Sequence, residues 1–208
     1  MSVLPNAVDF QAYSDTPSPV VDRPPLVLFI GQLVPRKGYD LLARAMPAVL
    51  RAAPEARFVF VCHNRSGEAE LRRIAASGGV ADRLEIMGRV SEFEKIPLLH
   101  TAAVVAAPSR YERFGIPLIE SLAAGAPVVT TDVVAGSEVI DHERIGLLVP
   151  YGDEAALAAA LIRLLNDRGL GARLAAAARA EVFDRYRAET LTVHLEALYD
   201  RLIAKRTR

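Results

Sequence analysis

Residues 26–62 read LVLFIGQLVPRKGYDLLARAMPAVLRAAPEARFVFVC. The stretch begins with a short apolar run closed by Gly31, continues as an amphipathic segment of helix length, and ends in a second apolar run. This order is typical of a βαβ unit, in which a crossover helix joins two parallel strands. Both runs are almost continuously apolar, as strands are when helices cover both faces of a parallel sheet. The stretch therefore predicts an α/β fold.

The same alternation of short apolar runs and amphipathic segments continues as far as residue 150. Repeated βαβ units of this kind favour a doubly wound, Rossmann-like parallel sheet of about six strands. The predicted strands are 26–31, 57–62, 83–88, 102–108, 127–131 and 146–150, and the predicted helices between them are 39–53, 67–77, 92–101, 116–125 and 135–140.

The chain changes character after residue 152, where the pattern becomes Ala- and Leu-rich and purely helical. Asp153 is expected to cap the first of these helices, and Gly169 with Gly171 is expected to separate it from the second. The predicted C-terminal helices are 153–167, 169–186 and 188–205.

Composition limits the classes of function. Lys plus Arg and Asp plus Glu are balanced at 25 each, so no global field attracts nucleic acid, and we expect no nucleic-acid partner. The single cysteine, Cys62, cannot form an internal disulfide, and no apolar run approaches the ~20 residues of a membrane span. Together with the lack of a signal-peptide pattern, this predicts a cytoplasmic protein.

At 208 residues, one main domain is favoured, because domains usually run about 100–200 residues. Four prolines lie among small polar residues in SDTPSPVVDRPP, residues 14–25, and they exclude a helix or a central strand there. We therefore divide the chain into a crossing segment and linker, residues 1–25, and a main domain, residues 26–208.

Polar and glycine-rich loops follow the predicted strands, and ligands of open parallel sheets bind at that edge. The first loop, GQLVPRKG at 31–38, has a glycine at each end and two cations, Arg36 and Lys37, before the next helix. Glycines allow close backbone approach, and cations beside helix amides suit a pyrophosphate. A tight turn with solvated basic residues remains an equal alternative, because the loop matches neither the dinucleotide nor the Walker pattern.

The fourth loop and its helix, SRYERFGIPLIESLAAG at 109–125, indicate a site more specifically. Pro117 suits the first turn of a helix, so the free amides of residues 114–116 are expected to face an anion. Glu112 precedes this helix start, and Glu120 should lean back toward it. Two carboxylates beside one phosphate site could hold sugar hydroxyls and stabilise an oxocarbenium-like transition state. Alternatively, Glu112 is a solvated loop charge and Glu120 an ordinary helix-surface residue.

This segment resembles the E-x7-E motif of the retaining GT-B glycosyltransferases, the glycosyl transferases group 1, a family that includes bacterial glycogen synthases and polysaccharide mannosyltransferases. Further blocks resemble the family in the same order: VLPNAVDF at 3–10, FIGQLVPRKGYDLL at 29–42, IMGRV at 86–90 and AGSEVIDHERIGLLVPYGD at 135–153. The resemblance implies that residues 26–208 form a nucleotide-sugar-binding domain, one half of a GT-B fold.

The resemblance also implies roles for individual residues. Lys37 would contact the pyrophosphate, Glu120 the ribose, and Glu112 the donor sugar near the reacting carbon. Gln32 stands where most members carry an arginine, so either Arg36 supplies that charge or the donor is held more weakly. The predicted site comprises Glu112 and Lys37 as catalytic residues and, as substrate-binding residues, Gly31, Gln32, Arg36, Gly88, Arg89, Val90, Phe114, Gly115, Ile116 and Glu120.

The activity implied by the resemblance is transfer of a sugar from a nucleotide diphosphate sugar to an acceptor hydroxyl with retained anomeric configuration, as in polysaccharide biosynthesis. We expect no cofactor and no metal, because no Asp-x-Asp pair occurs and the four histidines lack ligand spacing. An acceptor-binding domain, which precedes this one in the family, would be the missing partner. We therefore expect the chain to be a piece of a longer protein that binds its donor weakly and transfers no sugar alone.

Other interpretations remain at this point. A GT-B-type epimerase or phosphorylase shares the architecture, although a phosphorylase needs a lysine for pyridoxal phosphate. A catalytically silent nucleotide-sugar-binding or interaction module is favoured by Gln32 and by the missing domain. The basic C-terminal end either touches anionic lipid, as a peripheral membrane contact, or is a solvated terminus. Its residues are Arg201, Lys205, Arg206 and Arg208.

Overall fold

The structure is a computed structural model that describes residues 5–13 and 19–206. The strands are β1 (Leu26–Ile30), β2 (Arg57–Val61), β3 (Leu84–Met87), β4 (Val104–Ala107), β5 (Val128–Thr131) and β6 (Leu147–Val149). The helices are α1 (Tyr39–Ala52), α2 (Glu68–Ser77), α3 (Glu92–Thr101), α4 (Ile116–Ala123), α5 (Val134–Val139), α6 (Glu154–Asn166), α7 (Arg168–Tyr186) and α8 (Ala188–Arg206).

All six strands belong to one parallel sheet in the order β3-β2-β1-β4-β5-β6. The predicted doubly wound fold is confirmed. The chain reverses its winding direction between β1 and β4, which pair directly through Val27 and Val104. At such a switch point the two connections lead to helices on opposite faces of the sheet, and a crevice remains outside the carboxyl ends of the strands.

Apolar side chains bury both faces of the sheet. Phe29 of β1 packs with Leu42, Met46 and Phe60 in a cluster that α1, α2 and α6 cover. Leu28, the intervening residue of β1, packs on the other face in a cluster with residues of α3, α4, α5 and α7. This alternation explains why the strands are continuously apolar, since each fully buried Leu or Phe contributes about 1.5–3 kcal/mol.

The predicted break between the first two C-terminal helices is misplaced. Gly169 and Gly171 lie inside α7, and Asp167 separates α6 from α7. The Asp167 side chain accepts a hydrogen bond from the Leu170 amide at 2.8 Å, so a capping carboxylate starts the new helix. Gly171 instead allows close packing, because a Cβ there would lie 3.2 Å from Val20. Asp153 caps α6 as predicted, accepting from the Ala156 amide.

The N-terminal segment packs on the domain where it is described. The Val8 amide donates to the Tyr186 carbonyl at 2.9 Å, and Val20 is buried. Arg23 is also buried and donates to the Ala102 carbonyl. Burial, reinforced by the charge of Arg168, lowers the pKa of Arg23 to about 10. Residues 1–4 and 14–18 of the predicted crossing segment and linker lie outside the described residues.

The last helix, α8, is largely exposed, including the apolar side chains of Val193, Tyr199 and Ile203. Among the described residues, no helix combines the length and apolar character that crossing a membrane requires. Of the predicted basic end, Arg201 is exposed, whereas the side chains of Lys205 and Arg206 and all of Arg208 lie outside what the structure describes.

Candidate functional site

The loops after β1 and β4 meet at the switch point. The Arg110 amide donates to the Arg36 carbonyl at 2.8 Å, which joins the two loops through their backbones. Gly38 ends the first loop with a φ of 67°, and a Cβ there would lie 1.9 Å from the Pro108 carbonyl oxygen. Only glycine fits both this left-handed backbone and this close approach. The predicted phosphate loop is therefore locked against the predicted acidic loop.

Lys37 and Glu112, which are far apart in sequence, form an ion pair in this crevice. Glu112 also accepts a hydrogen bond from the Arg113 amide at 3.2 Å. The side chains of Lys37 and Glu112 are 13% and 21% exposed, so the pair is partly shielded yet open to a ligand. Beside it is a cavity of about 30 Å³, lined by residues that include Gly115, Pro117 and Thr130. The structure thus brings together the two residues predicted to be catalytic.

The start of α4 presents backbone donors to the same crevice. Gly115 precedes the helix with a φ of 83°, and Pro117 lies in the first turn. The Gly115 carbonyl accepts from the Leu118 amide. Within the described part of the chain, the amides of Phe114, Gly115 and Ile116 donate to no acceptor. Together with the helix dipole, they form a site suited to an anion.

Glu120 lies in a separate cluster of side chains. Its carboxylate accepts a hydrogen bond from Lys95 Nζ of α3 at 2.9 Å and another from the Tyr13 hydroxyl. Glu112 lines the small cavity, and Glu120 does not. The two predicted carboxylates therefore do not converge on one cavity. Glu120 instead joins α4 to α3 and to the N-terminal segment.

The cluster around Glu120 consists of buried polar groups. Lys95 also donates to Glu92 Oε1 at 2.8 Å. Burial disfavours the ammonium ion, but the hydrogen bonds and charges of Glu92 and Glu120 outweigh it and raise the pKa of Lys95. Burial, followed by the charge of Glu120, raises the pKa of Tyr13. Lys95 and Tyr13 were not among the predicted site residues, since neither residue belongs to a recognisable motif and only tertiary packing brings them to Glu120.

Gln32 is held by its neighbours in the first loop. Its Nε2 lies 3.1 Å from His63 Nε2, and its Oε1 accepts from Arg36 at 3.5 Å. The exposed Arg36 therefore lies directly beside the position where an arginine was expected. His63, one of the four histidines without metal-ligand spacing, thus contacts this loop.

The predicted substrate-binding residues of the IMGRV block follow an edge strand of the sheet. Gly88, Arg89 and Val90 follow β3, which is an edge strand two positions from β1, or about 10 Å away. Arg89 is exposed, whereas Val90 packs against the core. Among the described residues, no group of three or more His, Cys, Asp or Glu side chains could hold a metal ion.

The family model described as glycosyl transferases group 1 matches residues 24–167. The chain belongs to this family. The match begins just before β1 and ends at Asp167, so it contains both loops of the crevice and all of α4. It does not contain the N-terminal segment that carries Tyr13.

Characterised relatives in this family include mannosyltransferases. The chain is 35% identical over 202 residues to the phosphatidyl-myo-inositol mannosyltransferase of Mycobacterium leprae, covering 95% of this chain and 52% of that protein. It is 34% identical to the GDP-mannose-dependent alpha-(1-6)-phosphatidylinositol monomannoside mannosyltransferase of Mycobacterium tuberculosis, covering 82% of this chain and 46% of the other. The chain thus spans about half the length of the curated relatives it matches.

A solved structure supports the same family assignment. The sucrose-phosphate synthase of Thermosynechococcus elongatus superposes with a TM-score of 0.86 at 28% identity, covering 98% of this chain and 53% of that protein. The glycosyl transferase group 1 domain described here therefore shares its whole architecture with half of a longer enzyme.

Proposed function

We propose that the chain is the donor-binding domain of a retaining glycosyltransferase that takes its sugar from a nucleotide diphosphate sugar. The observation that supports this most directly is the Lys37–Glu112 ion pair beside the free amides at the start of α4. A cation and a helix N-terminus together suit a diphosphate, and a carboxylate beside them suits the sugar attached to it. One relative is named as a GDP-mannose-dependent mannosyltransferase, which agrees with such a donor.

Donor binding at this site would be an exchange of ionic partners. Without ligand, Lys37 is neutralised by Glu112. A diphosphate at the start of α4 would take over Lys37 as its counter-ion and leave the Glu112 carboxylate facing the sugar. In that position Glu112 would stabilise the positive charge that develops at the reacting carbon. Lys37 and the α4 amides would stabilise the negative charge of the leaving diphosphate.

Arg36 would supply the further positive charge that Gln32 lacks. Its guanidinium lies beside Gln32 Oε1, and its carbonyl accepts a hydrogen bond from the Arg110 amide, so it belongs to the same pair of loops as Lys37 and Glu112. Gly88, Arg89 and Val90 would contact the nucleotide base.

No cofactor and no metal enter this scheme. The acceptor would bind to a second domain, so the chain alone would bind the donor and transfer no sugar. Any peripheral contact with a membrane would be a property of the complete protein.

A catalytically silent nucleotide-sugar module is the second candidate, and the Gln32 environment favours it. Gln32 is engaged by His63 rather than left free for a ligand. Slow hydrolysis of the bound donor would separate the two candidates, because a silent module releases intact nucleotide sugar while a transferase domain cleaves some of it.

A thermal-shift panel with UDP, GDP and ADP tests the proposal. At least one nucleotide should raise the melting temperature of the wild type, because ligand at 100 times its Kd adds about 2.7 kcal/mol to the folded state. The shift should be smaller for Glu120→Ala, because the proposed ribose contact is lost. Glu55→Ala is the matched control, since this exposed glutamate lies at the opposite edge of the sheet. No shift with any nucleotide would contradict the proposal, and equal shifts in wild type and Glu120→Ala would remove Glu120 from the site.

A further inference from the structure

Tyr13 is a buried polar residue that the scheme above does not use. It ends a short 3-10 helix, Phe10–Tyr13, in the N-terminal segment. The residue is only 3% exposed, and it belongs to the same apolar cluster as Leu118 and Ile119 of α4. A tyrosine hydroxyl buried this deeply normally has a hydrogen-bond partner. Here that partner is Glu120.

The segment that carries Tyr13 is fixed independently of Glu120. Arg179 of α7 donates to the Tyr13 carbonyl at 2.8 Å. Phe10 packs edge-on against Phe183 of the same helix, with ring centroids 5.3 Å apart. Val8 forms a parallel bridge with Arg187. The hydroxyl of Tyr13 is therefore presented to α4 from a rigid support.

The Glu120 carboxylate has hydrogen-bond acceptor positions left for a ligand. An ionised carboxylate offers about four lone-pair positions. Lys95 Nζ and the Tyr13 hydroxyl occupy two of them, and the Glu120 side chain remains 15% exposed. Two acceptor positions are left for an incoming ligand, as many as a vicinal diol needs. With both internal donors in place, the carboxylate cannot rotate without breaking a buried hydrogen bond.

We propose that Tyr13 is a positioning residue for recognition of the donor ribose: its hydroxyl orients the Glu120 carboxylate toward the two ribose hydroxyls. This inference rests on the proposed function, in which Glu120 binds the ribose. It means that the sugar-nucleotide site extends beyond the region that matches the family model, because Tyr13 precedes residue 24. Tyr13 acts through Glu120 and does not itself touch the ligand.

The test compares ribose selectivity rather than affinity alone. Binding of GDP and UDP, each beside its 2′,3′-dideoxy counterpart, is measured by calorimetry for wild type and for Tyr13→Phe, which removes only the hydroxyl. Wild type should prefer the ribonucleotide, and Tyr13→Phe should lose about 3- to 10-fold of that preference, as expected for one lost hydrogen bond. Affinity for the dideoxynucleotide should not change. Because the ratio is taken within one variant, a loss of stability cancels.

Two further variants make the result decisive. Tyr39→Phe is the control, since it removes the hydroxyl of another buried tyrosine, in the apolar cluster on the other face of the sheet, and should keep the wild-type ratio. Arg179→Met releases the Tyr13 carbonyl and should give a partial loss, which keeps the test open if Tyr13→Phe does not fold.

Each outcome decides between the two proposals. An unchanged ratio in Tyr13→Phe, or in Arg179→Met if the first variant cannot be purified, would overturn the positioning role. A wild type that binds ribo- and dideoxynucleotides equally would overturn it as well, while nucleotide binding itself would stand. A wild type that binds neither GDP nor UDP would overturn the proposed function and this inference together.

Discussion

Gly38→Ala is expected to lower the free energy of unfolding by about 2–5 kcal/mol, the sum of a left-handed backbone cost of about 1–2 kcal/mol and an overpacking cost of about 1–3 kcal/mol. The new methyl group would lie 1.9 Å from the Pro108 carbonyl oxygen, a distance that no packed structure tolerates. Backbone must move on one side, and either movement separates the loop of Lys37 from that of Glu112. Urea unfolding measures the change.

Gly79→Ala is a matched control for this prediction. Gly79 has nearly the same backbone conformation, φ 71° against 67° for Gly38, but nothing lies within 4 Å of its would-be Cβ. Its substitution should therefore cost only the backbone part, about 1–2 kcal/mol. The difference between the two losses in the free energy of unfolding is then the cost of disturbing the contact between the loops. Equal losses of stability would show that the contact with Pro108 is not a close one.

Lys37→Met is expected to raise the Kd of a nucleoside diphosphate about 10- to 100-fold, because it removes a charged hydrogen-bond donor worth about 1.5–3 kcal/mol. Glu112→Gln should have the opposite sign. It releases Lys37 from its ion pair and removes a like charge from the crevice, so the diphosphate should bind more tightly than in wild type. Calorimetry with GDP and UDP measures both.

The opposite signs distinguish a shared site from a structural ion pair. If the pair served only stability, both variants would be less stable and neither would change nucleotide affinity. Arg51→Met controls for the loss of one positive charge, since Arg51 is exposed in the last turn of α1, away from the crevice. Weaker nucleotide binding in Arg51→Met would show that the overall electrostatic field of the protein, and not the crevice, attracts the nucleotide. Weaker nucleotide binding in Glu112→Gln would exclude the exchange of ionic partners.

Much of the fold could be predicted from the sequence because it depends on local pattern. Each strand is a short apolar run closed by a turn residue, and such runs are covered on both faces. The failure at Gly169 and Gly171 has a physical cause. A glycine inside a helix costs roughly 1 kcal/mol, and tertiary packing, here the close approach of Gly171 to Val20, can compensate for it. The aspartate at 167, a stronger signal, starts the helix.

The site could be predicted only in part. Lys37 and Glu112 come together because both lie in loops at the carboxyl edge of adjacent strands, and that adjacency follows from the doubly wound fold. The partners of Glu120 could not be found in the same way. Lys95 reaches it from another helix and Tyr13 from the N-terminal segment, so both contacts depend on packing angles that no local pattern encodes.

The bridge between Val8 and Arg187 joins residues from nearly opposite ends of the chain. A contact of such long range closes a very large loop. Val8 has no partner for this bridge until α7, which directly precedes Arg187, has docked on α4. The segment of Tyr13 should therefore order late in folding, after the sheet has assembled. Selectivity for ribose, if it depends on Tyr13, would then be acquired only at the final step of folding, later than a site able to hold phosphate.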